Sequence, residues 1–330
     1  MRLLAIVVAL VLGLGLAGWL TMIRMPGRSH AGAMPPISGE AQALRDRLAR
    51  HVQVLAGDIG ERNVWRLDRL REASGYVQDG FREHGYEVEV QAFDAMGRTV
   101  ENVAAERRGG ALSDEIVVIG AHYDSVAGSP GANDNATGVA ALLELARAFA
   151  TRSPARTVRF IAFANEEPPF FQTDDMGSLH YARRAKARGE RVVAMLSIET
   201  IGAYSDEPGS QQYPLPLFGA LYPDTANFIT FVGNVGSRHL VRRAIGAFRA
   251  GTAFPSQGAA VPGGIPGVGW SDHWAFWQQG YPAIMVTDTA LFRYGPYHTL
   301  GDLPAQVDYD RMTRVVAGLA AVVADLTDAP

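Results

Sequence analysis

Acidic and histidine side chains follow three short apolar runs of the sequence, each at the point where the run ends. His122 and Asp124 stand in "HYDS" after "EIVVIGA", and the adjacent Glu166 and Glu167 stand in "NEE" after "TVRFIAFA". Glu199 follows a third run, "RVVAMLSI". Imidazole nitrogens and carboxylate oxygens are ligands that zinc takes in proteins, and manganese and cobalt accept them too. These residues therefore predict a metal site if the fold brings the three run ends together.

Two further residues extend this set. Asp134 lies in "GANDNATG", at the start of an amphipathic helical pattern, and His298 lies in "GPYHTLGD", after the last apolar run. Each residue alone has an ordinary structural interpretation, since an aspartate at the start of a helix is usually a cap. Several unpaired carboxylates in one place would repel one another and lose hydration, and bound cations remove that objection. The set as a whole therefore favours a metal site with a spare carboxylate as the general base for metal-activated water.

The adjacent glutamates are followed by two prolines, Pro168 and Pro169. A residue before proline is pushed toward extended backbone, so the pair is not wound into a helix. Neighbouring side chains of an extended segment point to opposite sides. The two carboxylates can therefore take different roles at one centre, one as a ligand and the other facing the attacking water.

Apolar runs and helical patterns alternate along the chain. Four segments have the periodicity of amphipathic helices: "NATGVAALLELARAFA", "SLHYARRAKARG", "SRHLVRRAIGAFRA" and "DRMTRVVAGLAAVVADL". Other runs, among them "YEVEVQAF", "NFITFVGN" and "PAIMVTDT", are typical of strands. This alternation predicts an α/β three-layer sandwich whose central, mostly parallel mixed sheet is flanked by helices. Active sites of such sheets form at the carboxyl ends of the strands, where the candidate residues stand.

The composition excludes several functional classes. The 330 residues carry a formal net charge of −4, without the clustered basic residues that nucleic-acid binding requires. The chain has no cysteine, which excludes disulfides and thiolate metal sites. Any metal must therefore be held by histidine, aspartate or glutamate.

The N-terminus departs from this globular composition. Leu3–Ile23 is a continuous apolar stretch flanked by arginines, and about 20 such residues are long enough to span a bilayer. Residues 1–27 are predicted to be a membrane anchor, with a cleaved signal peptide as the alternative because two small-x-small triplets suit a signal peptidase. Residues 28–40 are predicted to be a tether and 41–330 the catalytic domain. We expect that domain outside the cytoplasmic membrane, periplasmic or extracellular, and secreted if the N-terminus is cleaved.

The ordered motifs "HYDS…GANDNATG…NEE…SIETIG…YHTLGD" resemble those of peptidase family M28, the zinc aminopeptidases and their relatives. The segment "SDHWAF" is also similar to that family. The resemblance implies a zinc exopeptidase fold, two zinc ions per chain, and hydrolysis of N-terminal residues from a peptide substrate. The metal ligands that it implies are His122, Asp134, Glu167, Glu199 and His298.

The resemblance also implies which of these residues bind each zinc ion. Asp134 would bridge the two zinc ions, while Glu167 and His298 complete one metal and His122 and Glu199 complete the other.

Two carboxylates would act beside the metals. By the same resemblance, Glu166 takes a proton from the bridging water and passes it to the leaving amine, and Asp124 fixes the imidazole of His122. In that family the peptide bond after the bridging aspartate is often cis, which makes Asp134–Asn135 a candidate for a cis bond.

Three alternatives share this fold. A glutaminyl cyclase, which resembles the family, would use one zinc for an intramolecular acyl transfer. A carboxypeptidase would need a cation for the substrate carboxylate, and Arg293 stands just before His298 in the sequence. A binding ectodomain without activity is disfavoured because every ligand position is present.

Aromatic residues near the motifs have two interpretations each. Phe170 and Phe171, in the long loop "PPFFQTDDMGS", are predicted either to wall the substrate pocket or to pack in the core. Tyr297 is a candidate donor to the developing oxyanion or a packing residue.

Overall fold

Strands and helices alternate along most of the chain. The computed structural model describes Leu10, Gly13 and residues 15–328. The strands are β1 (Val88–Ala95), β2 (Arg98–Arg107), β3 (Leu112–His122), β4 (Arg156–Phe163), β5 (Arg191–Ile198), β6 (Ile229–Gly233), β7 (Ser256–Ala260) and β8 (Ala283–Thr287). The α-helices are α1 (Gly39–Val52), α2 (Leu67–Glu83), α3 (Thr137–Phe149), α4 (Gly177–Ala187), α5 (Pro216–Leu221), α6 (Arg238–Gly251), α7 (His273–Gln278) and α8 (Tyr309–Asp328).

The eight strands form one mixed sheet in the order β1-β2-β4-β3-β5-β8-β6-β7. The four central strands, β4, β3, β5 and β8, are mutually parallel. Antiparallel pairs join β1 to β2, β2 to β4, and β6 to β8, whereas β6 and β7 are parallel. The predicted mostly parallel mixed sheet is confirmed, and the carboxyl ends of its central strands meet at one edge.

Apolar side chains of the central strands are buried on both faces of the sheet. In β3, Val117 and Ile119 pack into the larger core cluster, while Val118 between them packs into the second. Helices α1, α2, α3, α6 and α8 contribute to the larger cluster, and α4 and α7 contribute to the other. Burial on both faces explains why the run "EIVVIGA" is continuously apolar and lacks the alternation of a half-exposed strand.

The predicted anchor lies only in part within the described residues. Residues 1–9, 11, 12 and 14 lie outside them, and Trp19–Ile23 forms a short π-helical segment. No α-helix within the described part of the chain has both the length and the apolarity needed to cross a bilayer. Most of the predicted tether precedes α1, which begins at Gly39. Ser38 caps this helix, because its side-chain oxygen accepts the Ala41 N–H at 3.2 Å.

Candidate metal centre

The candidate residues lie at the carboxyl ends of three central strands, at one edge of the sheet. His122 is the last residue of β3, and Glu199 directly follows β5. Glu166 and Glu167 come shortly after Phe163, the last residue of β4. Because β4, β3 and β5 are adjacent and parallel, their carboxyl ends bring these side chains together.

Asp134 is held by an irregular turn between β3 and α3. The carboxylate of Asp302 accepts the N–H groups of Asn133 at 2.8 Å and of Asp134 at 3.0 Å. The side chain of Asn135 donates to the Ile198 carbonyl at 2.8 Å, which ties the turn to the end of β5. The peptide bond Asp134–Asn135 is cis, as the family resemblance implied.

The two carboxylate oxygens of Asp134 face two separate groups of ligands. Its Oδ1 lies 3.3 Å from His122 Nε2, and Glu199 Oε2 lies 3.2 Å from that same nitrogen. Its Oδ2 lies 3.1 Å from His298 Nε2, which is 3.2 Å from Glu167 Oε2. The five residues thus form two triads of one imidazole and two carboxylates, and the triads share Asp134.

These residues offer a donor set that fits a metal cation. Both oxygens of Asp134 and Nε2 of His298 are buried and have no hydrogen-bond partner among the residues that the structure describes. One ligand atom from each of His122, Asp134 and Glu167 lies within 4.8 Å of the others. A buried carboxylate without partners is costly unless a cation neutralises it, and a nitrogen and oxygen donor set suits zinc.

The electrostatics of the centre demand positive charge between the carboxylates. Burial, reinforced by neighbouring carboxylates, raises the pKa of Glu167 and that of Glu199 to about 7. Burial disfavours the charged imidazoles, but the surrounding carboxylates outweigh it and raise the pKa of His122 well above its usual value and that of His298 to about 10. Burial also opposes ionisation of Asp134, yet the two imidazoles hold its pKa below the usual range. Bound protons or metal cations can supply that charge.

Asp124 organises the pair of glutamates. Its carboxylate accepts the backbone N–H of Glu166 and that of Glu167, both at 3.2 Å. Asp124 Oδ1 also lies 3.5 Å from Nδ1 of His122. The same carboxylate therefore contacts both the Glu-Glu segment and the imidazole at the end of β3.

Glu166 faces the centre without belonging to either triad. Its Oε2 lies 3.9 Å from His122 Nε2, and burial raises its pKa well above the usual range. By contrast, Glu167 Oε1 accepts the Val126 N–H at 3.0 Å while its Oε2 faces His298. The neighbouring carboxylates thus have different surroundings.

A buried arginine beneath the centre has no signal in the sequence. The side chain of Arg62 is fully buried and donates to five backbone carbonyls: those of Leu55, Gly60, Tyr123, Pro130 and Gly131. Three of these carbonyls belong to the segment that leads from His122 to Asp134. The segment "ERNVW" around Arg62 contains no recognisable motif, so only the tertiary structure reveals this role.

Two further positioning residues belong to motifs that the sequence had singled out for other reasons. Ser271, in "SDHWAF", donates to Glu199 Oε2 at 2.8 Å. Asp302, at the end of "YHTLGD", holds the turn that carries Asp134. Their positions in the family motifs were the available signal, but their partners could not be read from spacing.

Six histidines lie outside the centre, and three of them lie in the second half of the chain. His180 stacks on Phe93, with 4.2 Å between ring centroids, and the ring of His273 is 2.8 Å from the Val268 carbonyl through Nε2. His239 is exposed at the start of α6.

Aromatic and basic residues beside the centre have defined contacts. Phe170 is buried and packs near Trp65, with 5.9 Å between ring centroids. Tyr297 stacks on the ring of His298 at a centroid distance of 3.9 Å. Arg293 donates to Gln211 Oε1 at 2.8 Å and to the carbonyl of Phe228 at 2.9 Å.

An apolar cavity opens beside Glu199 and Tyr297. It encloses about 880 Å³, its open mouth included. Its apolar walls include Phe218, Tyr222, Phe228, Val232, Ala259 and Met285. A side chain of a ligand bound at the metal centre could enter this cavity.

Comparison with known proteins gives matches over most of the chain. The sequence profile described as Peptidase family M28 matches residues 102–323. The uncharacterized protein YfbL of Escherichia coli (strain K12) is 37% identical over 289 residues, which cover 85% of this chain and 88% of YfbL. A probable zinc metalloprotease of Pyricularia oryzae is 29% identical over 315 residues, which cover 87% of this chain and 59% of the fungal protein.

Solved structures share the fold at low sequence identity. The zinc aminopeptidase BSAP from Bacillus subtilis superposes with a TM-score of 0.69 at 15% identity, covering 89% of this chain and 96% of that one. The glutaminyl cyclase of Fimbriiglobus ruber superposes with a TM-score of 0.64 at 18% identity, covering 91% and 99%. A protein named as a zinc aminopeptidase and one named as a glutaminyl cyclase therefore share this fold.

Proposed function

This chain belongs to peptidase family M28, and on that premise we propose that it is a zinc-dependent aminopeptidase that binds two zinc ions per chain. The observation that carries the proposal is the position of Asp134, whose two buried oxygens each face a separate imidazole and carboxylate pair. Relatives and structural neighbours named as zinc metalloprotease and zinc aminopeptidase support the choice of metal and reaction.

The ligands would divide between the two ions as the triads do. His122 and Glu199 would hold one zinc, His298 and Glu167 the other, and Asp134 would contact both. Zinc in such sites polarises a substrate carbonyl and lowers the pKa of water.

Glu166 is the proposed general base. It is a buried carboxylate that belongs to neither triad, and its Oε2 faces Nε2 of His122, the ring nitrogen that also faces Asp134 and Glu199. In this role it accepts a proton from the attacking water and delivers that proton to the nitrogen of the leaving peptide. Asp124 positions Glu166 through the backbone N–H bond.

The cavity beside Glu199 would receive the side chain of the N-terminal residue. Its aromatic and aliphatic walls favour an apolar side chain such as leucine or phenylalanine. The carboxylates of the centre would attract a substrate α-ammonium group. Arg293, the cation that a carboxypeptidase could use, is bonded to Gln211 and to a backbone carbonyl and is not part of the cavity lining, which argues against that alternative.

A glutaminyl cyclase with a single zinc is the second candidate, since one structural neighbour carries that name. A single-zinc reaction does not need the second triad of His122, Asp134 and Glu199. The presence of that triad supports the aminopeptidase instead, and the number of bound zinc ions distinguishes the two.

Replacing Glu166 by glutamine tests the proposal. Glu166→Gln keeps the size of the side chain but removes the base, so kcat on leucine and phenylalanine p-nitroanilides should fall about 10²–10⁴-fold. Zinc content should stay the same, because Glu166 is in neither triad. The exposed Glu87→Gln variant is the matched control and should keep full activity. Undiminished turnover by Glu166→Gln, or loss of its zinc, would refute this assignment.

A further inference from the structure

The segment between the apolar N-terminus and α1 is bound to the surface of the domain. Arg249 of α6 donates from Nη1 to the carbonyls of Pro26 at 2.9 Å and Gly27 at 3.3 Å. Arg314 of α8 donates to the carbonyl of Pro35 at 2.5 Å. Bonds from charged donors are stronger than neutral ones, so these arginines fix the path of the segment. We call residues 24–35 the strap.

The strap lies along β7, the strand at one edge of the sheet. Ser29 Oγ accepts the N–H of Ser256 at 2.9 Å, and the side chain of Met25 packs so closely on Gly258 that an added Cβ there would lie 2.8 Å from it. The Tyr222 hydroxyl, just after α5, donates to the Gly258 carbonyl at 2.8 Å. The strap and α5 therefore meet at the same edge strand.

Exposed apolar side chains flank this strand. Leu217 and Leu221 of α5 are 65% and 40% exposed, and Trp19 and Leu20 before the strap are 42% and 39% exposed. Ile23, just before the strap, packs with Phe218 and Tyr222 against the same small apolar cluster. We call Trp19, Leu20, Leu217 and Leu221 together the edge surface.

Basic residues accompany the edge surface. Arg24 and Arg28 are exposed, and the Arg24 guanidinium lies 5.9 Å from the ring centroid of Trp19. Arg242 of α6 donates to the carbonyls of Leu20 and Arg24. Tryptophan beside arginine is typical of the membrane interface, where basic side chains also attract anionic lipids.

We propose that the edge surface docks on a lipid bilayer that contains anionic lipids. The sequence itself points to a bilayer as the binding partner. The apolar stretch Leu3–Ile23 is long enough to enter a bilayer, and it ends where the strap begins. Trp19, Leu20 and the leucines of α5 enter the interface, while Arg24 and Arg28 contact the headgroups. The strap thus holds the catalytic domain against the membrane in one orientation.

This orientation has a consequence for the substrate, which rests on the proposed function. Phe218 and Tyr222 line the cavity proposed for the N-terminal side chain and also pack next to the edge surface. Two walls of the cavity therefore lie next to the surface that faces the bilayer, and peptides whose apolar N-terminal residue partitions into the interface are the favoured class of substrate.

Absence of cysteine makes the orientation measurable with single labels. Leu217→Cys places a label on the edge surface, and Met96→Cys is the matched control. Both residues are 65% exposed, but Met96 lies in the turn between β1 and β2 at the opposite edge of the sheet. Seven strand spacings of about 4.8 Å separate the two edges by about 34 Å.

The full chain would be labelled with an environment-sensitive fluorophore and reconstituted in vesicles of phosphatidylcholine and phosphatidylglycerol, with or without a quencher-bearing lipid. We expect a blue shift and quenching for Leu217→Cys and neither effect for Met96→Cys. Equal emission and equal quenching at both positions would overturn the proposal.

A second variant tests the strap. In the Leu217→Cys background, Arg249→Gln removes the charged donor to Pro26, Gly27 and Ser256 and should reduce quenching, whereas Arg183→Gln at an exposed ion pair should not. Unchanged quenching in Arg249→Gln would overturn the orienting role of the strap. These readouts need no peptidase activity, so their failure is distinguishable from a failure of the proposed function, which the Glu166→Gln assay reports.

Discussion

Arg62→Met removes the buried cation that supports the path from His122 to Asp134. The guanidinium donates to the carbonyls of Tyr123 at 2.6 Å, Pro130 at 2.5 Å and Gly131 at 2.9 Å. Methionine keeps much of the apolar length but offers no donor. The substitution therefore removes the arginine donor from all three carbonyls, of which that of Gly131 still accepts the Ala136 N–H at 3.1 Å.

The magnitude follows from these three short bonds. A hydrogen bond from a charged group contributes about 1.5–3 kcal/mol, so three contribute about 5–9 kcal/mol. Desolvation of the buried guanidinium offsets several kcal/mol of this. We expect the free energy of unfolding of the metal-free chain to fall by about 3–5 kcal/mol, and zinc affinity to fall about 10–100-fold because the turn that carries Asp134 is loosened.

Urea denaturation of the metal-free chain measures the first effect, and competition with a chromophoric chelator measures the second. Arg159→Met is the control, since Arg159 is part-buried and bonded to Glu106 at 2.6 Å and Glu190 at 2.5 Å, away from the centre. It should lower stability without changing zinc affinity. If Arg62→Met lost less than about 1 kcal/mol, a loss typical of one neutral bond, and kept its zinc affinity, the supporting role of Arg62 would be refuted.

Three further predictions concern the centre and the cavity. Asp302→Asn weakens the acceptor of the Asp134 N–H, so zinc affinity should fall about tenfold or more in the chelator assay, and an unchanged affinity would count against this role. The pKa values of Glu167 at about 7 and His298 at about 10 are raised in the folded state, so folding takes up protons and the metal-free chain should lose stability as pH rises from about 5 to about 9. Urea denaturation across this range checks the sign, and metal-free stability that rises with pH would contradict the buried, proton-sharing centre. Ala259→Phe fills the cavity, so kcat/KM should fall for leucine p-nitroanilide relative to alanine p-nitroanilide, and an unchanged ratio would exclude this cavity as the specificity pocket.

The central strands and the residues after them could be predicted because both depend on local patterns. The apolar runs of β3, β4 and β5 are buried on both faces and are therefore continuous in the sequence. Parallel strands carry their carboxyl ends to one edge, so His122, Glu166 and Glu199 were expected to converge there. Their convergence could therefore be predicted from the fold class and from their positions after the strands, without knowledge of tertiary contacts.

Two strands could not be predicted, for opposite reasons. The sequence of β2, "RTVENVAAER", mixes charged ends with a short apolar middle, and it forms a strand because it pairs with both β1 and β4. The sequence of β7, "SQGAA", lacks β-branched and aromatic residues, and within the described part of the chain β7 pairs with β6 alone. In both cases tertiary pairing outweighs local propensity.

Positioning contacts were equally hidden. Arg62 reaches carbonyls more than 60 residues away, and Asp302 holds Asp134 across a separation of 168 residues. Residues 28–40 were predicted to be a tether and residues 24–27 to be part of the anchor. Only the arginines of α6 and α8 reveal that the strap, residues 24–35, is in contact with the domain. Such contacts depend on the assembled fold rather than on any sequence period.

Zinc content per chain tests the central claim most directly. The purified full chain, loaded with zinc and freed of excess metal, would be measured by elemental analysis alongside its protein concentration. The shared position of Asp134 between the two triads predicts two zinc ions per chain. A folded chain that holds only one zinc would contradict the dinuclear centre and favour the single-zinc chemistry of a glutaminyl cyclase.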